Sequence, residues 1–328
     1  MHAIEVSTPG GANNLTYVSA DIPQPDAGQV VVRTHAAGVN FIDTYIRSGV
    51  YSTDFPWRPG TEGSGVVTEV GEDVQGLAVG DRIAWATSVT GSYAQYVVVE
   101  ADQALPIPEG MDMDTAAALP LQGLTVHMLT HGVTSLNEES TVFITGGAGG
   151  VGQLFIQYAK HLGARVLTMV GSHQKSKIAL AAGANRVFIQ EDFTDTTAEL
   201  STLLKDLTEG QGVDVFYDGV GKDTFDAAIA SVRPRGLVVL FGGASGQVPP
   251  FDLQRLNAAG SLFVTRPTVW HYIADPSERA QRWHEITTAV LDGAVQVSIG
   301  ATYELADAQQ AHEALESRGT TGKVLLVP

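Results

Sequence analysis

The residues Thr145-Gly-Gly-Ala-Gly-Gly-Val-Gly152 follow an apolar run, Val142-Phe143-Ile144, and precede a helical pattern of Leu154, Phe155, Ile156, Tyr158 and Ala159. Gly147, Gly149 and Gly152 fit the spacing G-x-G-x-x-G, with Ala148, Gly150 and Val151 between them. The chemistry this permits is the docking of a dinucleotide pyrophosphate. Glycines allow a tight turn and close backbone approach, and the helix N-terminus offers free N–H donors. Glycine clusters also make ordinary turns, so the strand before and the helix after decide the reading.

Charge carries the second signal. The chain has 36 acidic residues among 328, yet none lies between Ser140 and Gln190. That window holds Lys160, Arg165, Lys175, Lys177 and Arg186. A second apolar run, Arg165–Val170, ends about 20 residues past the glycine loop, where an NAD site places Asp or Glu on the ribose 2′-hydroxyl. The chain reads Gly171-Ser172-His173-Gln174-Lys175 there. A carboxylate would repel a 2′-phosphate, whereas a hydroxyl and an ammonium attract one, so NADPH is the expected cofactor. The alternative is that Lys175 and Lys177 form a solvated helix face.

Metal chemistry finds little support. There is no cysteine, which excludes disulfides, a thiol nucleophile and thiolate ligands. His127 and His131 are spaced i, i+4 and could share an ion on a helix. No glutamate stands between them and no third ligand is near in sequence, so surface or hydrogen-bonded roles are expected and no metal site is assigned.

These groups need elements to hold them. Residues 1–121 read as β-rich, with runs at 29–34, 65–70, 82–86 and 93–99 separated by short turns. Residues 122–265 alternate strands at 142–145, 165–170, 186–189, 213–218, 236–241 and 261–265 with helices at 151–162, 175–182, 195–208 and 223–231, the rhythm of a doubly wound parallel sheet. Residues 266–328 change texture again, with helices near 276–292 and 307–317 and a strand at 323–327, and are expected to rejoin the first domain. The fold class is thus α/β. A hydrophobic content of 44% is that of a globular chain, and a net charge of −17 argues against nucleic acid or anionic membrane as a partner. No signal peptide or membrane-length apolar run is evident, so a cytoplasmic protein is expected.

The blocks Ala37–Tyr51, Pro59–Gly65, Leu121–Val126, Thr145–Gly152, Val213–Gly221 and Val264–Pro267 occur in order along nearly the whole chain. In these the sequence resembles the zinc-independent quinone oxidoreductase (zeta-crystallin-like) branch of the medium-chain dehydrogenase/reductase superfamily. The resemblance implies a Rossmann sheet inserted into a GroES-like β-barrel catalytic domain, NADPH-dependent reduction of quinones, and a homodimer joined through Rossmann-sheet edges, with segment 251–265 the expected edge. Zinc-using relatives place cysteine and histidine ligands near Asn40 and Thr61. Neither present residue is a normal zinc ligand, and Glu62 alone makes a poor site.

The resemblance also assigns residues. Asn40, Tyr45 and Tyr51 lie in the block placed beside nicotinamide and substrate, with Asp43 and Arg266 as further substrate candidates. The tyrosines could instead pack at a domain interface, and Asp43 with Arg47 could be a surface pair. Cofactor contacts carry over to Asn40, Thr125, Gly171, Ser172, Lys175, Phe241, Gly242, Val264 and Arg266, while Arg318 and Lys323 are placed to close over the nucleotide. Gln190 stands where close relatives carry a tyrosine on the 2′-phosphate, which softens the NADPH preference, and Gln122 stands where some carry lysine. The runner-up activity is reduction of α,β-unsaturated carbonyls (enones or enals), in which a tyrosine proton donor matters more. A non-catalytic crystallin-like or RNA-binding role comes third, disfavoured by the intact glycine loop and the negative charge.

Overall fold

A run of β-branched and small residues makes Gln29–Val39 the longest strand, and its two halves serve two cores. Val30 and Val32 pack with Val67, Ile83, Trp85, Val97 and Val99. Ala37 and Val39 pack with Ile4, Val6, Tyr93, Leu305 and Leu326. Each buried aliphatic side chain contributes about 1.5–3 kcal/mol, which fixes the strand at both ends.

The computed structural model describes residues 1–317 and 319–328. Two units are present: residues 1–125, 273–293 and 297–328 form one, and residues 126–272 with 294–296 form the other. The second unit therefore extends past the expected limit at 265, through the short helix at 269–272, before the chain returns.

The first unit begins with a two-stranded ribbon, β1 (His2–Glu5) against β2 (Thr16–Ser19). Then come β3 (Gln29–Val39), α1 (Phe41–Arg47), β4 (Glu62–Val70), β5 (Arg82–Trp85), β6 (Tyr96–Glu100), β7 (Leu105–Pro106) and α2 (Met113–Ala118). The helix α3 (Pro120–His127) carries the chain to the second unit.

There, β8 (Thr141–Thr145), α4 (Gly150–His161), β9 (Arg165–Val170), α5 (His173–Ala181), β10 (Arg186–Ile189), α6 (Thr196–Asp206), β11 (Val213–Asp218), α7 (Phe225–Ser231), β12 (Val232–Leu240), α8 (Gln254–Ala258), β13 (Phe263–Thr265) and α9 (Val269–Tyr272) alternate as expected. The strands form a six-stranded parallel sheet in the order β10-β9-β8-β11-β12-β13. Chain order therefore reverses between β8 and β11, the switch point at which such sheets bind nucleotides.

On its return the chain adds α10 (Pro276–Leu291), β14 (Ile299–Glu304), α11 (Ala308–Glu316) and β15 (Lys323–Val327) to the first unit. β15 pairs antiparallel with β3 and parallel with β14, which completes a seven-stranded sheet. This pairing brings the last strand of the chain beside Asn40.

Candidate active site

Asn40 links β3 to α1 and is held by two other strands. Its Nδ2 donates to Glu62 Oε1 at 2.7 Å, and its Oδ1 accepts from Lys323 Nζ at 2.7 Å. Lys323 also donates to Glu62 Oε1, while Glu62 Oε2 accepts the backbone N–H of Leu121 at 2.7 Å. Glu62 is 0% and Lys323 1% exposed, so a full ion pair lies in the interior. The pair orients the amide: a flipped Asn40 would aim N–H at the ammonium and oxygen at the carboxylate. Gly38 provides the space, because a Cβ there would lie 2.5 Å from Glu62 Oε1. Lys323 therefore does not close over the nucleotide as expected; it is a buried group of the first unit.

A second buried chain starts one turn into α1. Asp43 Oδ2 accepts the backbone N–H of Asn40 at 2.9 Å and the hydroxyl of Tyr93 at 3.1 Å. The Tyr93 oxygen lies 3.0 Å from His312 Nε2, and His312 Nδ1 lies 3.0 Å from Arg47. A guanidinium only donates, so His312 accepts at Nδ1, carries its proton on Nε2 and donates to Tyr93, which donates to Asp43. Every proton in the relay thus points toward Asp43. Burial raises the Asp43 carboxyl from 3.8 to about 7, against the Asn40 N–H, the Lys323 charge and the Tyr93 hydroxyl, which lower it. Burial and then Arg47 lower His312 from 6.5 to about 3. Burial also raises Tyr93, as does the neighbouring Asp43.

Two expectations change here. Asp43 is 0% exposed and supports Asn40 from beneath, so it presents no surface of this unit to a substrate. Asp43 and Arg47 are not a surface pair either, since Arg47 is buried and bonds Glu316, His312 and the Gly10 carbonyl.

Tyr45 and Tyr51 meet edge to face with ring centroids 5.8 Å apart, Tyr45 half-buried and Tyr51 exposed. The Tyr45 carbonyl accepts the backbone N–H groups of Val50 and Tyr51, which folds the segment after α1 back on the helix. Thr125 lies half-buried near the end of α3. The first unit thus gathers Asn40, Tyr45 and Tyr51 on one short helix, its N-cap and the segment folded back on it.

In the second unit the glycine loop has the geometry of a phosphate cradle. A Cβ on Gly152 would lie 2.2 Å from the Gly146 carbonyl oxygen, and one on Gly147 would lie 2.2 Å from Thr168 Oγ1. Gly149 caps α4 without a side chain, which leaves the first N–H groups of a 12-residue helix for an anion. Gln153 Nε2 donates to the Ala148 carbonyl at 2.8 Å and fixes the loop. These residues fit a dinucleotide pyrophosphate.

Gly171, at the end of β9, has open space beside it, and Ser172 caps α5, which carries Lys175. Gln190 is half-buried in the turn after β10. The next two residues were missed by sequence reasoning. Glu191 accepts the backbone N–H of His173 at 3.1 Å, and His173 Nε2 lies 3.0 Å from Asp192. Two carboxylates therefore stand at the edge of the region that lacks them in sequence. Their signal was the position immediately after the acid-free window.

Asp218 closes the switch point. Its Oδ1 accepts from Thr145 Oγ1, Thr224 Oγ1 and the N–H groups of Val220 and Gly221, while burial raises its carboxyl. The β11 and β12 ends approach so closely that a Cβ on Gly242 would lie 2.4 Å from the Gly219 oxygen. Phe241 follows β12, and Val264 lies in β13. Arg266 donates to the Leu240 carbonyl at 3.1 Å. Arg318 lies outside the described residues. The rings of His127 and His131 stack with centroids 4.4 Å apart, and His127 is buried, so it is not a surface group.

Comparison with known proteins fits this geometry. Residues 26–109 match the alcohol dehydrogenase GroES-like domain and residues 150–275 the zinc-binding dehydrogenase domain. A quinone oxidoreductase of Salmonella typhimurium is 39% identical over 328 residues, covering 99% of each chain. The chain belongs to the quinone oxidoreductase family of the medium-chain dehydrogenase/reductase superfamily. The Escherichia coli quinone oxidoreductase in complex with NADPH superimposes with a TM-score of 0.96 at 39% identity, covering all of both chains. A 2-haloacrylate reductase of Burkholderia is 33% identical, covering 97% of this chain and 96% of its own.

The family matched by residues 150–275 is named for zinc, but the donors around Asn40 do not fit that metal. Asn40 and Thr61 are poor ligands, and both oxygens of Glu62 are committed, one of them to an ammonium. Among the described residues, no helix is long and apolar enough to cross a membrane.

Proposed function

We propose that this protein is an NADPH-dependent quinone oxidoreductase that needs no metal. The observation that carries the reading is the Asn40–Glu62–Lys323 triad, which presents a fixed neutral amide where metal-dependent relatives carry zinc ligands. A quinone needs little polarisation, because its ring is already electron-poor. Orientation and exclusion of water are then the main contributions of the protein.

Gly147, Ala148, Gly149, Gly150, Val151 and Gly152 hold the pyrophosphate. Gly171, Ser172, Lys175 and Gln190 meet the adenosine end, and Thr125, Phe241, Gly242, Val264 and Arg266 line the remainder. Bound NADPH supplies a hydride. The acceptor ring takes that hydride and one proton from solvent and leaves as the hydroquinone. Asn40 orients the acceptor carbonyl or the nicotinamide, and Tyr45 and Tyr51 offer ring faces and hydroxyls to the acceptor. The protein acts in the cytoplasm as a homodimer joined at β13, an edge strand whose Phe263 is 63% exposed.

A second reading, reduction of an activated carbon–carbon double bond, draws on the 2-haloacrylate reductase relative. It would make the Tyr45 and Tyr51 hydroxyls candidate proton donors. The test of the first reading is NADPH oxidation by 1,4-naphthoquinone, measured by loss of nicotinamide absorbance before and after treatment with a chelator. Equal rates are expected. Loss of activity on chelation and its return with zinc would refute the metal-free reading.

A further inference from the structure

The first unit contains a cavity of about 450 Å³ bounded by the segments 56–61 and 87–91 and by Ile46 on α1. Its size is that of a small-molecule site. The wall is largely polar: Arg58, Thr61, Thr87, Ser88 and Thr90 line it, together with Trp57. In two of these lining residues a donor, Arg58 Nε or Thr61 Oγ1, is buried without a hydrogen-bond partner. An unpaired buried donor costs about 1–3 kcal/mol, so such groups usually meet a ligand or water.

Placement ties the cavity to the triad. Thr61 directly precedes Glu62, which holds Asn40, and Ile46 directly follows Tyr45 on α1. The loops close tightly because of glycine: Gly91 has φ of 80°, and a Cβ there would lie 2.2 Å from the Arg58 carbonyl oxygen. Glu5 shares the wall and its charge opposes that of Arg58, so the cavity is unsuited to a free anion. Neutral oxygen acceptors meet no such repulsion. The polar lining is equally unsuited to a long hydrocarbon tail.

We propose that this cavity receives the oxygen-bearing substituents of a neutral, tail-less quinone, with Arg58 and Thr61 as specificity-determining donors. The inference rests on the quinone reading above and gives it a substrate class: methoxy- or hydroxy-substituted rings that lack a prenyl chain. Arg58 and Thr61 donate to the substituent oxygens, and Ile46 and Trp57 cover the ring.

The experiment compares 2,3-dimethoxy-5-methyl-1,4-benzoquinone with 2,3,5-trimethyl-1,4-benzoquinone, using the intact protein, Arg58→Leu and Thr61→Val. Two readouts are taken: kcat/KM with NADPH, and quenching of tryptophan fluorescence without turnover, with Trp57→Phe identifying the quenched residue. In Arg58→Leu the preference for the dimethoxy ring should fall about tenfold, the size of one charged hydrogen bond. Thr61→Val should lower it by a smaller factor, and gives the answer if Arg58→Leu does not fold. Saturable quenching should weaken in parallel. An unchanged preference in the folded variants, as expected if the cavity holds only water, would overturn the inference while leaving quinone reduction intact. If the intact protein reduces neither quinone, the functional reading fails, and absence of Trp57-dependent quenching then sinks the cavity assignment too.

Discussion

The candidate regions of the two units, one around Asn40 and one around Ser172 and Lys175, are built on opposite terms. Around Asn40, the ionisable groups Glu62, Lys323 and Asp43 are buried, and each geometry is set by several partners. Around Ser172 and Lys175 the groups lie at the surface, and Glu191 and Asp192 stand close to His173. A buried polar network has one low-energy arrangement, because any alternative leaves a desolvated charge unpaired. An exposed rim is screened by water and salt and sets only a gradient of preference. On the proposed function, orientation of the acceptor would be specified by the fold, whereas cofactor choice would be adjusted by single surface residues.

The largest effect should come from breaking the buried pair. Lys323→Met leaves the Glu62 carboxylate without its counter-ion and should cost about 3–5 kcal/mol in chemical denaturation. Adding Glu62→Gln should recover part of that loss, since the neutral side chain no longer needs a cation. No recovery would mean that Lys323 acts through packing alone.

The next effect concerns the proton relay. The folded protein retains a proton on Asp43 between about pH 4 and 7 that the unfolded chain has released. Its stabilising contribution is present at low pH and is lost as pH rises through about 7. His312 does the reverse, refusing below about pH 6.5 a proton that the unfolded chain accepts, so its contribution is lost as pH falls toward 3. Between about pH 4 and 6.5 the two slopes oppose each other. His312→Gln should expose stability that falls with pH by up to ~1.4 kcal/mol per unit. Asp43→Asn should expose the opposite slope. Identical profiles for the two variants would contradict the proton assignment.

Smaller effects belong to the rim. Lys175→Ala should raise the NADPH KM about five- to tenfold, a loss of about 1 kcal/mol, with the NADH KM nearly unchanged. Glu191→Gln should lower the NADPH KM about two- to threefold by removing a carboxylate near the 2′-phosphate position. Steady-state kinetics with both cofactors checks each, and equal shifts for NADPH and NADH would remove these residues from the phosphate site.

What could be read in advance followed the same division. The six strands of the parallel sheet and their helices were legible because apolar periodicity and the glycine loop are local signals, and the strands at 165–170, 186–189 and 213–218 begin and end where expected. Asn40, Tyr45 and Tyr51 came from a resemblance of blocks, not from spacing. Lys323 was misplaced over the nucleotide, because its partner Asn40 lies 283 residues away and a lone lysine in a strand carries no pattern. His312 had a faint signal, lying on the apolar face of α11 with Ala308, Ala311 and Leu315. Glu191 was overlooked because charge was read along the chain, while the turn after β10 returns it to the start of α5.

The most direct test of the central claim is a parallel assay of NADPH and NADH oxidation against 1,4-naphthoquinone, 1,4-benzoquinone and a simple enone. The account predicts fast quinone-dependent oxidation of NADPH, slower oxidation of NADH and little turnover of the enone. Enone reduction without quinone reduction would contradict it, move the protein to carbon–carbon double-bond chemistry and make Tyr45 and Tyr51 the residues to test.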